Sequence, residues 1–189
     1  MPSQLWLVRH GETEWSKSGQ HTGLTDLPLT PEGVAKAGEL RNLLEGQTFN
    51  LVMSSPLQRA AETCRLAGFT DAQIDPDLLE WDYGAYEGRT TPDVWKDRPG
   101  WSLWRDGVPN GESIEQVAER ATRVIERAIQ AASGGQVALF AHGHVLRVLA
   151  ACWLGIEPEA ARLFALSTAS VSVLGWERDT RVVSRWNLT

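Results

Sequence analysis

The 189-residue chain has few cysteines and no long hydrophobic run. Its two cysteines, Cys64 and Cys152, lie in apolar, helix-like stretches, and neither a CxxC nor an HExxH spacing occurs. A disulfide-stapled domain is therefore excluded, a structural zinc site has no support, and we expect two free thiols in a reducing compartment. Without a run of about 18 apolar residues or a secretory signal, the sequence predicts a cytoplasmic protein that does not act at a membrane.

Basic residues are also fewer than acidic ones, 18 against 24, and the formal net charge is −6. A nucleic-acid-binding protein needs a basic surface to neutralise phosphates, so this balance disfavours nucleic acid as a partner. The net charge does not exclude a small anionic ligand, because affinity for one phosphate depends on a few cations that meet at one point.

Short apolar runs alternate with helical patterns along the chain. This alternation predicts an α/β fold, a three-layer sandwich with a mostly parallel central sheet and helices on both faces. We expect one domain over residues 1–189, with an irregular insert at about 78–111 that carries short helical pieces. The predicted strands are 5–8, 51–53, about 74, 137–141, 171–174 and 182–183. The predicted helices are 31–44, 55–66, 114–133 and 145–154, capped at the first three N-termini by Thr30, Ser55-Pro56 and Ser113.

Two histidines directly follow predicted strands. His10 follows Arg9 after the first strand, and His142 follows the most apolar one. Because the carboxyl ends of parallel strands meet at one edge, we expect these imidazoles to face each other, with Arg59 aimed at the same crevice. A neutral imidazole can accept a phosphoryl group, and guanidinium groups bind phosphate oxygens. The sequence therefore predicts a site for a doubly charged anion.

Seven motifs distributed over essentially the whole chain carry a family resemblance. They are LVRHGETEW at 7–15, TGLTD at 22–26, LTPEG at 29–33, SSPLQRA at 54–60, EWDYG at 80–84, EG at 87–88 and FAHG at 140–143. In combination they resemble the histidine phosphatase superfamily, also called phosphoglycerate mutase-like. Segments 15–29, 80–88 and 101–112 are further similar to the branch of yeast-type sedoheptulose-1,7-bisphosphatase and related bacterial acid phosphatases, which acts on phosphorylated sugars.

The resemblance implies a role for each matched residue. His10 is expected to carry the phosphoryl group, while Arg9, Arg59 and His142 complete the phosphate pocket. Glu80 is expected to protonate the leaving oxygen and then to activate water. No metal or cofactor is implied, because the arginines and imidazoles already supply positive charge. Substrate contacts are expected from Ser16, His21, Thr22, Gly23, Tyr83 and Gly143.

Two further features have plainer interpretations. His144 is expected to pack or hydrogen-bond near the site rather than to act in catalysis. Position 21 usually holds tyrosine in the sedoheptulose bisphosphatase branch, so His21 leaves the identity of the sugar open. The charged residues of the predicted helix 114–133 are expected to form a solvated face with mixed ion pairs; they are Glu115, Glu119, Arg120, Arg123, Glu126 and Arg127.

The resulting prediction is a metal-independent phosphatase that hydrolyses small phosphomonoesters, sugar phosphates or bisphosphates, through a phosphohistidine. A cofactor-dependent phosphoglycerate mutase is an alternative, although Ser16 replaces the asparagine usual in mutases and no Arg-Arg pair occurs. A non-catalytic module that binds a phosphorylated ligand is a second alternative. A protein phosphohistidine phosphatase, which would have a shallow open site, is a third. Both a monomer and a dimer remain open.

Overall fold

The computed structural model describes residues 3–189 and contains one six-stranded sheet. The strands are β1 (Gln4–Arg9), β2 (Leu51–Ser54), β3 (Gln73–Ile74), β4 (Gln136–Ala141), β5 (Val171–Glu177) and β6 (Thr180–Leu188). Their order is β3-β2-β4-β1-β5-β6. The first four are parallel, and β5 and β6 are antiparallel additions at one edge. The predicted mixed α/β fold with a mostly parallel sheet is confirmed.

Seven α-helices accompany the strands in the described part of the chain. They are α1 (Glu14–Ser18), α2 (Pro31–Leu44), α3 (Gln58–Leu66), α4 (Thr91–Asp97), α5 (Leu103–Asp106), α6 (Ile114–Ala132) and α7 (Gly143–Leu154). Short 3-10 turns lie at Pro76–Leu78, Gly84–Tyr86 and Pro158–Leu163. Residues 78–111, the expected insert, contain α4, α5 and the 3-10 turn at Gly84–Tyr86. Between residues 3 and 189, no helix is long and apolar enough to cross a bilayer.

The sheet is covered on both faces, which explains the continuous apolar runs of its central strands. Successive side chains of β1 point to opposite faces. Leu5 and Leu7 pack in the core formed with α6 and α7, whereas Trp6 and Val8 pack in the core formed with α2 and α3. β4 behaves in the same way, so both central strands are buried on each side.

The helix caps partly match their prediction. Thr30 caps α2 by accepting a hydrogen bond from Gly33, and Ser113 begins α6 with the predicted capping box. The prediction for Ser55 is wrong, because α3 begins at Gln58 after Leu57 and has no side-chain cap. The hydroxyl of Ser55 instead contacts a histidine of the site described below.

Three further expectations are corrected or confirmed by the structure. The segment 12–29, where the sequence predicts neither a helix nor a strand, contains α1, whose five residues are too few for periodicity to reveal. Both cysteines are free thiols, and burial raises the pKa of Cys64 to about 12. β6 runs over nine residues rather than two, because its exposed positions hide the alternation.

The charged face of α6 is not a uniformly solvated surface. Arg120 is only 6% exposed and is paired with Glu112, so the expectation is wrong for this residue. Arg123 and Arg127, one and two turns further along the same face, bind the carboxylates of two aspartates at 75 and 77. These arginines attach the chain before the insert to α6.

The sheet order brings the ends of β1 and β4 together at a topological switch point. β1 and β4 are paired neighbours along their whole length. The chain leaves β1 towards α2 on one face, and it leaves β4 into α7 on the other face. A crevice opens where two parallel strands send their connections to opposite faces, and ligands bind there in sheets of this kind.

The approach of the β1 loop to α2 depends on glycine. A Cβ on Gly33 would lie 2.2 Å from the carbonyl oxygen of Glu12, whereas a Cβ on Gly38 in the same helix would meet nothing within 4 Å. We expect Gly33→Ala to lower the free energy of unfolding by about 2 kcal/mol or more, because backbone must move. Gly38→Ala, the matched control, should raise it by about 0.5–1 kcal/mol. Urea unfolding measures both, and equal effects would contradict this packing.

Candidate active site

A pocket of about 270 Å³ opens at the switch point. It is lined from the end of β1, the segment 16–22, residues 80–91 and the first turns of α7, together with Leu166. Its lining residues are Arg9, His10, Ser16, Gly19, Gln20, His21, Thr22, Glu80, Tyr83, Thr91, Gly143, His144, Arg147 and Leu166. Eight of the eleven predicted site residues therefore line one cavity. The other three, Arg59, His142 and Gly23, lie behind its wall.

His10 is held in one tautomer by its neighbour. Its Nδ1 lies 2.7 Å from the carbonyl oxygen of Gly11, which can only accept, so Nδ1 carries the proton and donates it. Nε2 therefore keeps the free lone pair. Burial lowers the pKa of His10 well below its usual value, and the charges of Arg9 and Arg59 lower it further. The side chain is a neutral imidazole at neutral pH, which is the nucleophilic form.

His142 lies beside His10, with 5.1 Å between the ring centroids. Its Nδ1 accepts a hydrogen bond of 3.1 Å from Nε of Arg59, so its proton is on Nε2, which donates to the hydroxyl of Ser55 at 2.8 Å. Burial, followed by the charge of Arg59, lowers the pKa of His142 well below its usual value. Both histidines at the strand ends are therefore neutral, and the expected juxtaposition is present.

Arg59 is fully buried and organises the wall of the pocket. Besides His142, it donates to the carbonyl oxygens of Thr25 at 2.8 Å, Gly23 at 2.8 Å and Thr22 at 3.2 Å. Four of its five N–H donors are thus occupied, and one on Nη1 is left. The amide of Gly23 donates to the carboxylate of Glu87, so Gly23 supports the loop from behind the pocket.

Arg9 is the cation that reaches the pocket beside His10. Its guanidinium packs against Gly143, where a Cβ would lie 3.2 Å from Cζ. Nη1 donates to the carbonyl oxygen of Leu166, while Nε is buried without a partner among the described residues. Burial lowers the pKa of Arg9, but a guanidinium stays protonated in proteins. An unpartnered buried N–H next to His10 suits an anionic oxygen.

Glu80 joins the insert to the start of α7. Its Oε2 accepts from the amide of His144 at 2.9 Å, and its Oε1 accepts from the amides of Val145 and Trp81, each at 2.9 Å. The carboxylate thereby satisfies two N–H groups that a helix N-terminus leaves open. Oε2 accepts one bond and retains a second lone pair, so it is the oxygen with capacity for a proton.

Aromatic side chains form the outer part of the pocket. The hydroxyl of Tyr83 lies 2.5 Å from Nδ1 of His144, and the ring of His21 lies 4.9 Å from that of Tyr83. Burial raises the pKa of Tyr83 well above its usual value and lowers the pKa values of His21 and His144. These groups are therefore neutral hydrogen-bonding partners. His144 hydrogen-bonds near the site, as expected, and it also lines the pocket.

The hydroxyls of two predicted contacts already have local partners. Ser16 donates to the carbonyl oxygen of Thr13 at 3.0 Å, and Thr22 donates to that of Gln20 at 3.1 Å. The structure therefore places both residues at the pocket with hydroxyls that also stabilise the loop. Between residues 3 and 189, no group of three or more histidine, cysteine or acidic side chains could hold a metal ion.

Arg147 is a charged residue of the pocket lining that the sequence motifs do not indicate. It lies one turn into α7, 4.5 Å above the ring of Trp104, and donates to the carbonyl oxygens of Ala161 and Arg162. A lone charge in an otherwise apolar helix was the available signal. Together with Arg9 of β1, it gives the pocket two arginines in its lining.

The family model of the histidine phosphatase superfamily (branch 1) matches residues 5–189. The chain belongs to this superfamily, which agrees with the fold and with the paired histidines at the strand ends. The chain is 39% identical to an acid phosphatase of Mycobacterium tuberculosis (strain ATCC 25618 / H37Rv) over 189 residues, with 98% of this chain and 93% of that protein covered.

Two further comparisons concern a second relative and a solved structure. Over 183 residues the chain is 42% identical to a sedoheptulose 1,7-bisphosphatase of Saccharomyces cerevisiae, with 79% of this chain and 67% of that protein covered. A solved open reading frame product of Mycobacterium tuberculosis superposes with a TM-score of 0.96 at 38% identity, covering 100% of this chain and 99% of the other. The homologues therefore include phosphatases.

The lowered pKa of His142 has a consequence for stability. The unfolded chain takes up a proton near pH 6.5 and the folded chain does not, so stability is present above this pH and is lost below it. The free energy of unfolding should fall by up to about 1.4 kcal/mol per pH unit from this residue. Urea unfolding across this range should show a shallower slope for His142→Gln, whose amide can replace both hydrogen bonds. Equal slopes would contradict the neutral, buried imidazole.

Proposed function

We propose that this chain is a metal-independent phosphomonoesterase that works through a phosphohistidine at Nε2 of His10. The observation that carries the proposal is the fixed tautomer of His10, whose Nδ1 donates to Gly11 and leaves the Nε2 lone pair free. A neutral nucleophile beside the unpartnered Nε of Arg9 is what attack on a phosphoryl group requires. The phosphatase relatives support the same chemistry.

The first step transfers the phosphoryl group to the enzyme. A bond forms between Nε2 of His10 and phosphorus while the bond from phosphorus to the ester oxygen breaks. The leaving oxygen takes a proton from Oε2 of Glu80, which remains as a carboxylate. The charge of the transferred group is stabilised by Arg9 and by the first-turn amide of Gly143, which line the pocket, while Arg59 adds positive charge from behind the wall.

The second step returns the enzyme to its starting state. A water attacks phosphorus, the carboxylate of Glu80 accepts its proton, and the bond to Nε2 of His10 breaks, which releases inorganic phosphate. His142 stays neutral behind His10 and holds Arg59 in place through Nδ1. Glu80 donates one proton in the first step and accepts one from water in the second, so the cycle needs no other acid or base.

The pocket supports a small, polar phosphorylated substrate, a sugar phosphate or a sugar bisphosphate. Its volume of about 270 Å³ suits a small metabolite. Its outer part presents neutral hydrogen-bonding groups on His21, Tyr83 and His144 that match sugar hydroxyls. Arg147 adds a cation beyond the reacting group, where a second phosphate would find a partner.

We expect His10→Ala to lower kcat for p-nitrophenyl phosphate by about 10³-fold or more, because the nucleophile is lost. With a labelled phosphomonoester, the wild-type protein should retain an acid-labile, alkali-stable label that His10→Ala does not acquire. Equal, slow release of phosphate by both proteins would instead favour a non-catalytic module. Conversion of 3-phosphoglycerate to 2-phosphoglycerate in the presence of 2,3-bisphosphoglycerate, without free phosphate, would favour a mutase.

Substrate charge is tested at the second arginine. Arg147→Ala should raise KM for a sugar bisphosphate such as fructose 1,6-bisphosphate by about tenfold or more, which corresponds to one lost charge-assisted hydrogen bond. KM for p-nitrophenyl phosphate should change less than about threefold by the same reasoning. The matched control is Arg162→Ala, an exposed neighbour outside the pocket lining. A similar rise of KM for both substrates would contradict a second anion contact.

A further inference from the structure

Arg120 and Glu112 form a well-enclosed ion pair outside the pocket. Nε of Arg120 lies 2.8 Å from Oε1 of Glu112, and Nη2 lies 2.9 Å from Oε2, which is a bidentate geometry. Arg120 is only 6% exposed, although it belongs to a helix face that is otherwise charged and open. Neither residue lines the pocket. The burial of Arg120 therefore needs another explanation than contact with substrate.

The third nitrogen of the Arg120 guanidinium, Nη1, holds the chain just before Glu80. It donates to the carbonyl oxygen of Asp77 at 2.9 Å and to that of Leu79 at 2.5 Å. Leu79 directly precedes Glu80 in the sequence. The guanidinium thus fixes the orientation of the peptide that leads into the Glu80 residue.

Glu112 holds the chain just after Glu80. Its Oε2 accepts from the amide of Asp82 at 3.0 Å, and its own amide donates to the carbonyl oxygen of Asp82 at 3.0 Å. Its carbonyl oxygen accepts from the indole nitrogen of Trp81 at 2.9 Å. One ion pair therefore restrains the backbone on both sides of Glu80, over the short span 79–82.

We propose that the Arg120–Glu112 ion pair positions Glu80 for proton transfer by fixing the peptide units on each side of it. The inference rests on the proposed role of Glu80 as proton donor. The carboxylate can meet the amides of His144 and Val145 only if the 79–82 segment approaches α7 in one orientation. Arg120 and Glu112 are positioning residues, since they act through Glu80 and not on substrate.

The leaving group reveals whether the acid is in place. p-Nitrophenolate departs without a proton, whereas the more basic phenolate of phenyl phosphate needs one, and the two substrates are otherwise closely similar in size. kcat/KM reports the first chemical step, in which the leaving oxygen is protonated. A misplaced acid therefore lowers kcat/KM for phenyl phosphate more than for p-nitrophenyl phosphate.

The experiment compares four variants with the wild-type protein on both substrates. Arg120→Lys keeps the charge but cannot span Glu112 and the two carbonyl oxygens at once. Glu112→Gln keeps the shape and removes the charge. Arg123→Gln is the matched control, because this arginine lies one turn along the same face and binds a side chain rather than the backbone beside Glu80. Glu80→Gln defines the full loss of the acid.

We expect Glu80→Gln to shift the ratio of kcat/KM values against phenyl phosphate by about 10²-fold, the usual contribution of a general acid. Arg120→Lys and Glu112→Gln should each shift this ratio in the same direction by about tenfold, a fraction of that contribution. Arg123→Gln should leave it unchanged. Thermal melts identify a variant that does not fold. If one of Arg120→Lys and Glu112→Gln fails to fold, the other alone tests whether the ion pair positions Glu80.

Two results would overturn the positioning role while leaving the proposed role of Glu80 intact, and a third would overturn both. If Glu80→Gln shifts the ratio but neither Arg120→Lys nor Glu112→Gln does, the ion pair does not position the acid. If Arg120→Lys and Glu112→Gln lower kcat/KM equally for both substrates, the role of the ion pair is general stability. If Glu80→Gln itself leaves the ratio unchanged, the assignment of Glu80 as proton donor fails, and the positioning role falls with it.

Discussion

The hydrogen bonds between the Glu80 carboxylate and the first turn of α7 are the contact on which the site depends. Helix α7 begins directly after β4, so its first amides lie at the switch point of the sheet. The carboxylate accepts from the amides of His144 and Val145 and so holds the start of the insert at this edge, where Glu80 lines the pocket. The same contact stabilises the helix, because it satisfies open N–H groups at the helix N-terminus.

Burial of two histidines beside two arginines determines the protonation states in this pocket. Burial disfavours a charge on either imidazole and the charges of Arg9 and Arg59 add to this effect, so both imidazoles remain neutral, which is the form in which His10 can act as a nucleophile. The net charge of −6 is consistent with this arrangement. The cations that matter are concentrated at one point, while the surplus of carboxylates is distributed over the rest of the chain.

The sheet and the paired histidines could be predicted because their signals are local. A buried strand that ends in histidine places that side chain at the carboxyl edge, whatever the packing elsewhere. Whether an arginine on a helix turns inward is not a local property. Arg120 is buried because the carbonyl oxygens of Asp77 and Leu79, about forty positions away, meet it in space. Arg147 reaches the pocket for the same kind of reason, since Trp104 of the insert packs against it.

The Arg120–Glu112 pair also bears on what the insert contributes. A buried ion pair is weak evidence for stability, because desolvation of both charges offsets much of their attraction, and apolar residues of similar size often serve as well. An apolar pair, however, could not bind the carbonyl oxygen of Leu79 and the amide of Asp82 at the same time. The ion pair fixes the orientation of the peptide groups on each side of Glu80, because its donors and acceptors form hydrogen bonds with them in one geometry only. Apolar contacts of aromatic side chains do not set the direction of a peptide group, whereas these hydrogen bonds hold the peptide groups on each side of Glu80 in the orientation that brings its carboxylate to α7.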